Sequence, residues 1–232
     1  MRSSARGLFV GRSVVLLLAA SALAGCMADR DVTGSVMRAS ASREVSTADR
    51  EVQLRRMAAT YAAAYEKTPN DAGAAYAYGV TLRALGQRAQ ALAVLESASI
   101  RHPEQRQILA AYGRSLADAG RFEDALKVLG KAHLPEQPDW RILNAQGAIL
   151  DQLGRPAEAR RYYEAALKIA PGDPSILSNL GLSYALAGEP DKAEAVLLQA
   201  AASPKADDKV RANLAMVQGL KSAGPAKKAS RG

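Results

Sequence analysis

The chain is 232 residues long, 48% hydrophobic and 23% charged, with a formal net charge of +8, a single cysteine and two histidines. One cysteine excludes an internal disulfide, and His102 and His133 have no companions at metal-ligand spacing. The charge does not argue for nucleic acid: without the three arginines of the first 25 residues it is +5, and without Lys221, Lys227, Lys228 and Arg231 near the end it is +1, so no basic stripe is left for a folded face.

Arg2, Arg6 and Arg12 precede an apolar run, Val14 to Ala24, broken only by Ser21. A membrane-spanning helix needs about 20 apolar residues, so residues 1–25 read as an export signal. The run ends in Leu23-Ala24-Gly25-Cys26, which resembles the bacterial lipobox. That resemblance implies a lipoprotein signal peptide and a Cys26 acylated with palmitate-like chains, which becomes the first residue of the mature protein. Two or more acyl chains hold a protein firmly on a bilayer, so the expected location is the bacterial envelope, facing the periplasm. Met27, in place of aspartate, favours the outer membrane by analogy with enterobacterial sorting. Residues 26–46 contain Asp29, Arg30, Asp31, Thr33, Gly34 and several serines without an apolar period, and are expected to form a flexible polar tether.

Residues 47–71 read as a helix ending before Pro69, the second half of a repeat. Four full repeats follow at 72–105, 106–139, 140–173 and 174–207. Their ruler is a 34-residue step that carries Gly79, Gly113, Gly147 and Gly181, and also Gly86, Gly120, Gly154 and Gly188. The same step relates Ala91, Ala125, Ala159 and Ala193, and then Ala98, Ala132, Ala166 and Ala200. A glycine within a helix costs about 0.5–1 kcal/mol relative to alanine, so the first column predicts close approach of a second helix, with the alanine twelve residues later as its contact. The second glycine column predicts helix ends closed by a residue of positive φ. The last alanine column is expected to pack against the next repeat, and Trp140, which opens the third repeat, against the previous one. Residues 208–223 read as a capping helix with Arg211 where an apolar residue is expected, and 224–232 as a disordered basic tail.

These columns resemble the tetratricopeptide repeat, whose large apolar positions around the first glycine appear as Leu109, Tyr112 and Leu116, and as Leu177, Leu180 and Tyr184. Ala75 and Gln146 depart from them in the first and third repeats. The resemblance implies an all-α fold, a right-handed α-solenoid of four tetratricopeptide repeats with flanking helices. It also implies that first helices line a concave groove holding partners as extended segments or helices. The positions that would face it are Tyr76, Val80 and Arg83; Gln107, Arg114 and Asp118; Arg141, Asn144, Asp151 and Gln152; and Ser175, Ser178, Asn179 and Leu182. Its arginines suit a carboxylate-bearing peptide, yet Asp118 and Asp151 interrupt the field. The lysine–asparagine clamp of chaperone-binding members is absent, so a C-terminal carboxylate clamp is not expected. No nucleophile elbow or phosphate-binding loop is present. Catalytic residues, metal and cofactor are all expected to be none.

The lipobox Leu23–Cys26, polar tether, four repeats and short basic tail together resemble the TadD-type assembly lipoproteins of the Flp (tight adherence) pilus system. That resemblance implies an adaptor that supports the pilus machinery, with its outer-membrane secretin as a candidate client. An adaptor for peptidoglycan-remodelling enzymes, or for another envelope complex, is the alternative client assignment.

Overall fold

The computed structural model describes residues 32–223, with side chains from 48 to 222. The signal 1–25 with Cys26, residues 27–31 and the tail 224–232 lie outside the described residues. The chain divides into two units at Val45 and Ser46. The described part of the first is helical. The second holds the helix pairs and everything discussed below.

Ten helices occur among the described residues: α1 (Val32–Lys67), α2 (Ala72–Ala84), α3 (Arg88–Arg101), α4 (Arg106–Asp118), α5 (Phe122–Ala132), α6 (Trp140–Gln152), α7 (Pro156–Ile169), α8 (Pro174–Leu186), α9 (Pro190–Ala202) and α10 (Asp208–Ala223). No strand appears among those residues, only an isolated bridge between Leu134 and Gln137. Helix α1 corrects one expectation: it takes in residues 32–46, which the sequence assigned to a flexible tether. Nothing there breaks a helix, since no proline precedes Pro69 and the one glycine, Gly34, falls in the first turn.

Each repeat is a hairpin whose ends are set by local chemistry. Asp71, Asp139 and Asp173 cap α2, α6 and α8, accepting from the backbone N–H of Ala74 at 2.7 Å, Arg141 at 2.8 Å and Ser175 at 3.0 Å. Asp207 accepts from Val210 N–H at 3.0 Å at the start of α10. These aspartates lie on the same 34-residue step, and only Gln105, before α4, breaks it without a side-chain cap. Each such cap is worth about 1 kcal/mol. The other ends of α2, α4, α6 and α8 close identically. Gly86, Gly120, Gly154 and Gly188 have φ of 73°, 77°, 72° and 75°. The next residue's N–H returns to a carbonyl inside the helix, as in Gln87 to Leu82 and Arg121 to Leu116, both 2.9 Å. This double closure satisfies carbonyls that would otherwise be orphaned.

The interior glycines are places of close approach, but their nearest partner differs from expectation. A Cβ on Gly79 would lie 2.5 Å from Leu95, on Gly113 2.7 Å from Leu129, on Gly147 2.6 Å from Tyr163 and on Gly181 2.6 Å from Leu197. The nearest atoms therefore belong to a large side chain sixteen residues on, and the expected alanine twelve on also meets an added Cβ at Gly113 and Gly181 through its carbonyl, at 3.4 Å and 3.2 Å. Ala91, Ala125, Ala159 and Ala193 are fully buried one turn earlier and let the paired helices come together. The second alanine column is also fully buried, and each member joins the next repeat: Ala98 with Ile108, Ala132 with Ile142, Ala166 with Ile176 and Ala200 with Val210. The core is thus a chain of small clusters, most of them spanning one hairpin and the helix that follows.

One repeat departs from the rest. Helix α5 has 11 residues where α3 and α7 have 14. Its connection to α6 (133–139) is longer than the others, so the 34-residue step survives.

Candidate protein-binding face

Contacts among the helices decide which face is concave. The backbones of α2, α4, α6, α8 and α10 each approach the next in that series, whereas those of α3, α5, α7 and α9 stand further apart, with Arg160 of α7 reaching Glu189 at the start of α9 only by its side chain. A stack whose first helices meet and whose second helices splay apart curves with the first helices inside. The fourteen positions singled out in the sequence, from Tyr76 on α2 to Leu182 on α8, belong to that inner series.

Three cavities open along it. The first, of about 450 Å³, is lined by Tyr76, Gln107, Arg114 and Arg141, joined by Arg106, Trp140 and the 137–139 segment. The second, of about 470 Å³, takes Ser175, Ser178, Asn179 and Leu182 together with Lys205, Lys209 and Asn213. Arg83, Arg114, Asp118 and Gln152 line the third, of about 340 Å³. Val80, Asn144 and Asp151 line none of the three.

Several of these polar groups hold neighbouring repeats together. Arg83 Nε donates to Asp118 Oδ2 at 2.7 Å, with side chains 21% and 33% exposed. Asn179 donates to Asn144 at 3.0 Å, and Asn213 donates to Ser178 at 2.9 Å. All three pairs are 35 residues apart, one more than the repeat step, because each residue meets the next first helix one position further along.

Asp151 is a correction. Its carboxylate accepts the Tyr163 hydroxyl at 2.8 Å and the Ser183 hydroxyl at 2.8 Å, tying α6 to α7 and α8. Burial raises its pKa, opposed by those two hydrogen bonds and by the charge of Arg160. Burial and the Asp151 carboxylate also push the Tyr163 phenol above its ordinary range. Asp151 is a junction inside the stack, not a groove charge available to a partner.

Arg114 behaves in the opposite way. It is half-buried between the first and third cavities and makes no hydrogen bond or ion pair among the described residues. Burial, and then the nearby charge of Arg83, lower its pKa from the usual guanidinium value. Arg141 stacks on Trp140, with its guanidinium carbon 4.8 Å from the ring centroid. Trp140 itself is half-buried; it packs on the α6–α7–α8 cluster rather than on the previous repeat, where the sequence placed it, and it lines the first cavity. Arg106 carries no repeat signal in the sequence and is an addition to the site. It donates to the Ala132 carbonyl at 3.0 Å and the Gln137 carbonyl at 2.7 Å, so it fastens the long connection and contributes charge to the cavity. The two histidines follow α3 and α5 as C-caps, each with one ring nitrogen buried and without a partner in the fold.

Comparison with known proteins agrees with this geometry. Residues 152–217 match the tetratricopeptide repeat family, and residues 54–132 match the family of anaphase-promoting complex (cyclosome) subunit 3. Among solved structures, the thermophilic tetratricopeptide-repeat protein TTC0263 of Thermus thermophilus superimposes with a TM-score of 0.64 at 22% identity, over 73% of this chain and 96% of that one. A chain of the APC/C hetero-tetramer Cut9–Hcn1 gives a TM-score of 0.63 at 18% identity over 74% of this chain and 34% of that one. MamA from Desulfovibrio magneticus RS-1 gives 0.52 at 22% identity, over 65% and 85%. No curated protein sequence matches the chain. The repeat length, the hairpins and these matches give the chain a tetratricopeptide-repeat fold, and its residues 152–217 fit that repeat family's own pattern.

Proposed function

We propose that the protein is a membrane-anchored, periplasm-facing scaffold that captures a client protein on its concave face, and that the client belongs to the Flp (tight adherence) pilus assembly machinery. The carrying observation is the inner series α2, α4, α6, α8 and α10, whose helices line three cavities, two across α2, α4 and α6 and one between α8 and α10. The envelope location and the pilus client rest on the lipobox Leu23–Cys26, the following polar segment and the basic tail. No cofactor or catalytic group enters the reading.

The decisive test is crosslinking in cells from a photoreactive residue at Gln107 or Ser175, both exposed on first helices. Pilus proteins, including the secretin, are the expected capture, and deletion of the gene should abolish surface pili. Recovery of peptidoglycan hydrolases without pilus proteins would transfer the scaffold to the alternative client. Intact piliation in the deletion strain would remove the pilus assignment. Cys26→Ala should move the protein from the membrane to the soluble periplasmic fraction, and unchanged membrane fractionation would overturn the anchor.

A further inference from the structure

We infer that the first cavity is an acidic-segment site, taking an extended stretch of a client's chain whose carboxylates meet Arg114 and Arg141 while its neighbouring residues lie on Trp140, Tyr76 and Pro138. This rests on the concave face being the binding face and names the chemistry of what it holds. The argument is charge complementarity. Of the acidic groups that interrupted the arginine field in the sequence, Asp118 is engaged by Arg83 and Asp151 is turned into the α6–α7–α8 junction. Neither lines this cavity. Three guanidiniums do line it, and its one carboxylate, Asp139, is committed to the cap of α6 and lies 3.8 Å from Arg141.

The three cations differ in what they can still do. Arg106 is anchored by carbonyls and adds charge without a free fork. Arg114 has no hydrogen-bond or ion-pair partner among the described residues, feels Asp139 only as a nearby charge, and is already partly desolvated, so a carboxylate arriving there forms a charge-assisted bond with little further dehydration of the cation. Arg141 is steadied by Trp140 and offers a second fork at the rim. Two fixed aromatic and arginine anchors in one concavity are the arrangement in which a few residues dominate an interface. The long 133–139 connection builds one wall of the cavity, so the site belongs to the one repeat that departs from the others.

Trp140 is the only tryptophan, so its fluorescence reports on this cavity alone. The full chain is titrated with a synthetic peptide alternating glutamate and alanine, with its glutamine and lysine counterparts, and with single-stranded DNA of equal charge. The glutamate peptide should change Trp140 emission saturably and bind less tightly as salt rises, and the other three should bind much more weakly. Arg114→Glu and, separately, the rim variant Arg141→Glu should each weaken the glutamate peptide about ten- to hundred-fold, the scale of one charge-assisted pair. Arg161→Glu, exposed on α7, should change it less than about two-fold. Circular dichroism melting of each variant separates lost binding from lost folding, and Arg141→Glu, on an exposed side chain, keeps the test open if Arg114→Glu unfolds. Equal binding of glutamate and glutamine peptides, or glutamate binding untouched by both reversals, would overturn the inference. DNA binding as tight as the glutamate peptide would overturn the assignment to polypeptide. Crosslinked clients from Gln107 without any preference for glutamate would retain the binding face and reject its acidic specificity.

Discussion

At the scale of single residues, glycines inside a first and a second helix have opposite meanings. Gly147 lies against Tyr163, and an added Cβ would intrude to 2.6 Å on its ring. Gly130, in α5, faces open space with nothing within 4 Å. Gly147→Ala should therefore destabilise, because overpacking costs about 1–3 kcal/mol and outweighs the helix-propensity gain. Gly130→Ala should stabilise by about 0.5–1 kcal/mol. Parallel urea denaturation of the two variants checks both signs, and the same sign in both would refute the contact assignment. Asp151 supplies a second test. Its carboxyl titrates higher folded than unfolded, so in the window between those values the folded chain holds the extra proton, and stability falls as pH rises through it. Wild type should be most stable relative to Asp151→Asn below the ordinary value of 3.8 and lose that advantage toward neutrality. Urea midpoints of both proteins across that range would show it.

At the scale of helices, the glycine and alanine columns were readable because small residues at a fixed step have few alternative explanations. Their large partners were not read, although Leu95, Leu129, Tyr163 and Leu197 keep the step, as do Ile108, Ile142, Ile176 and Val210. Shape is what those columns preserve, so their residue types vary and the recurrence is diluted. The aspartate caps were equally visible and went unread for another reason: they fall between helices, where the apolar period is silent. Groove residues were the hardest. Which polar side chain faces a partner and which faces the next repeat depends on a one-residue offset between stacked helices, and spacing within one helix cannot report it. Arg83, Asn144 and Ser178 were therefore placed on the correct series of helices, yet each is tied to a residue 35 positions on. Arg83 and Asp118 are partly exposed, so a double-mutant cycle replacing both with alanine should return a coupling of only about 0.2–1 kcal/mol.

For the whole stack, stability is a sum over hairpins and the interfaces between them, which makes the last interface decisive. Helix α10 covers Ala193 and Leu197 with the fully buried Val217, while Lys221 pairs with Asp191 at 2.8 Å and also with Glu194. Val217→Asp should loosen α10, bare the α8–α9 surface and drive self-association, visible as a concentration-dependent rise in light scattering. A variant that stays monodisperse would mean that α10 is not the lid of this stack. The shortened α5 and its lengthened connection carry a different consequence. Because three residues moved from helix to link without altering the distance between landmark glycines, everything downstream stays in phase. Repeats 3 and 4 keep their register wherever repeat 2 places the boundary between helix and link. A solenoid of this kind can remodel one rung into a specialised mouth by sliding a boundary, with no insertion and no adjustment elsewhere. Novelty of this sort leaves the chain's length and beat untouched, and comparing lengths between relatives would never reveal it.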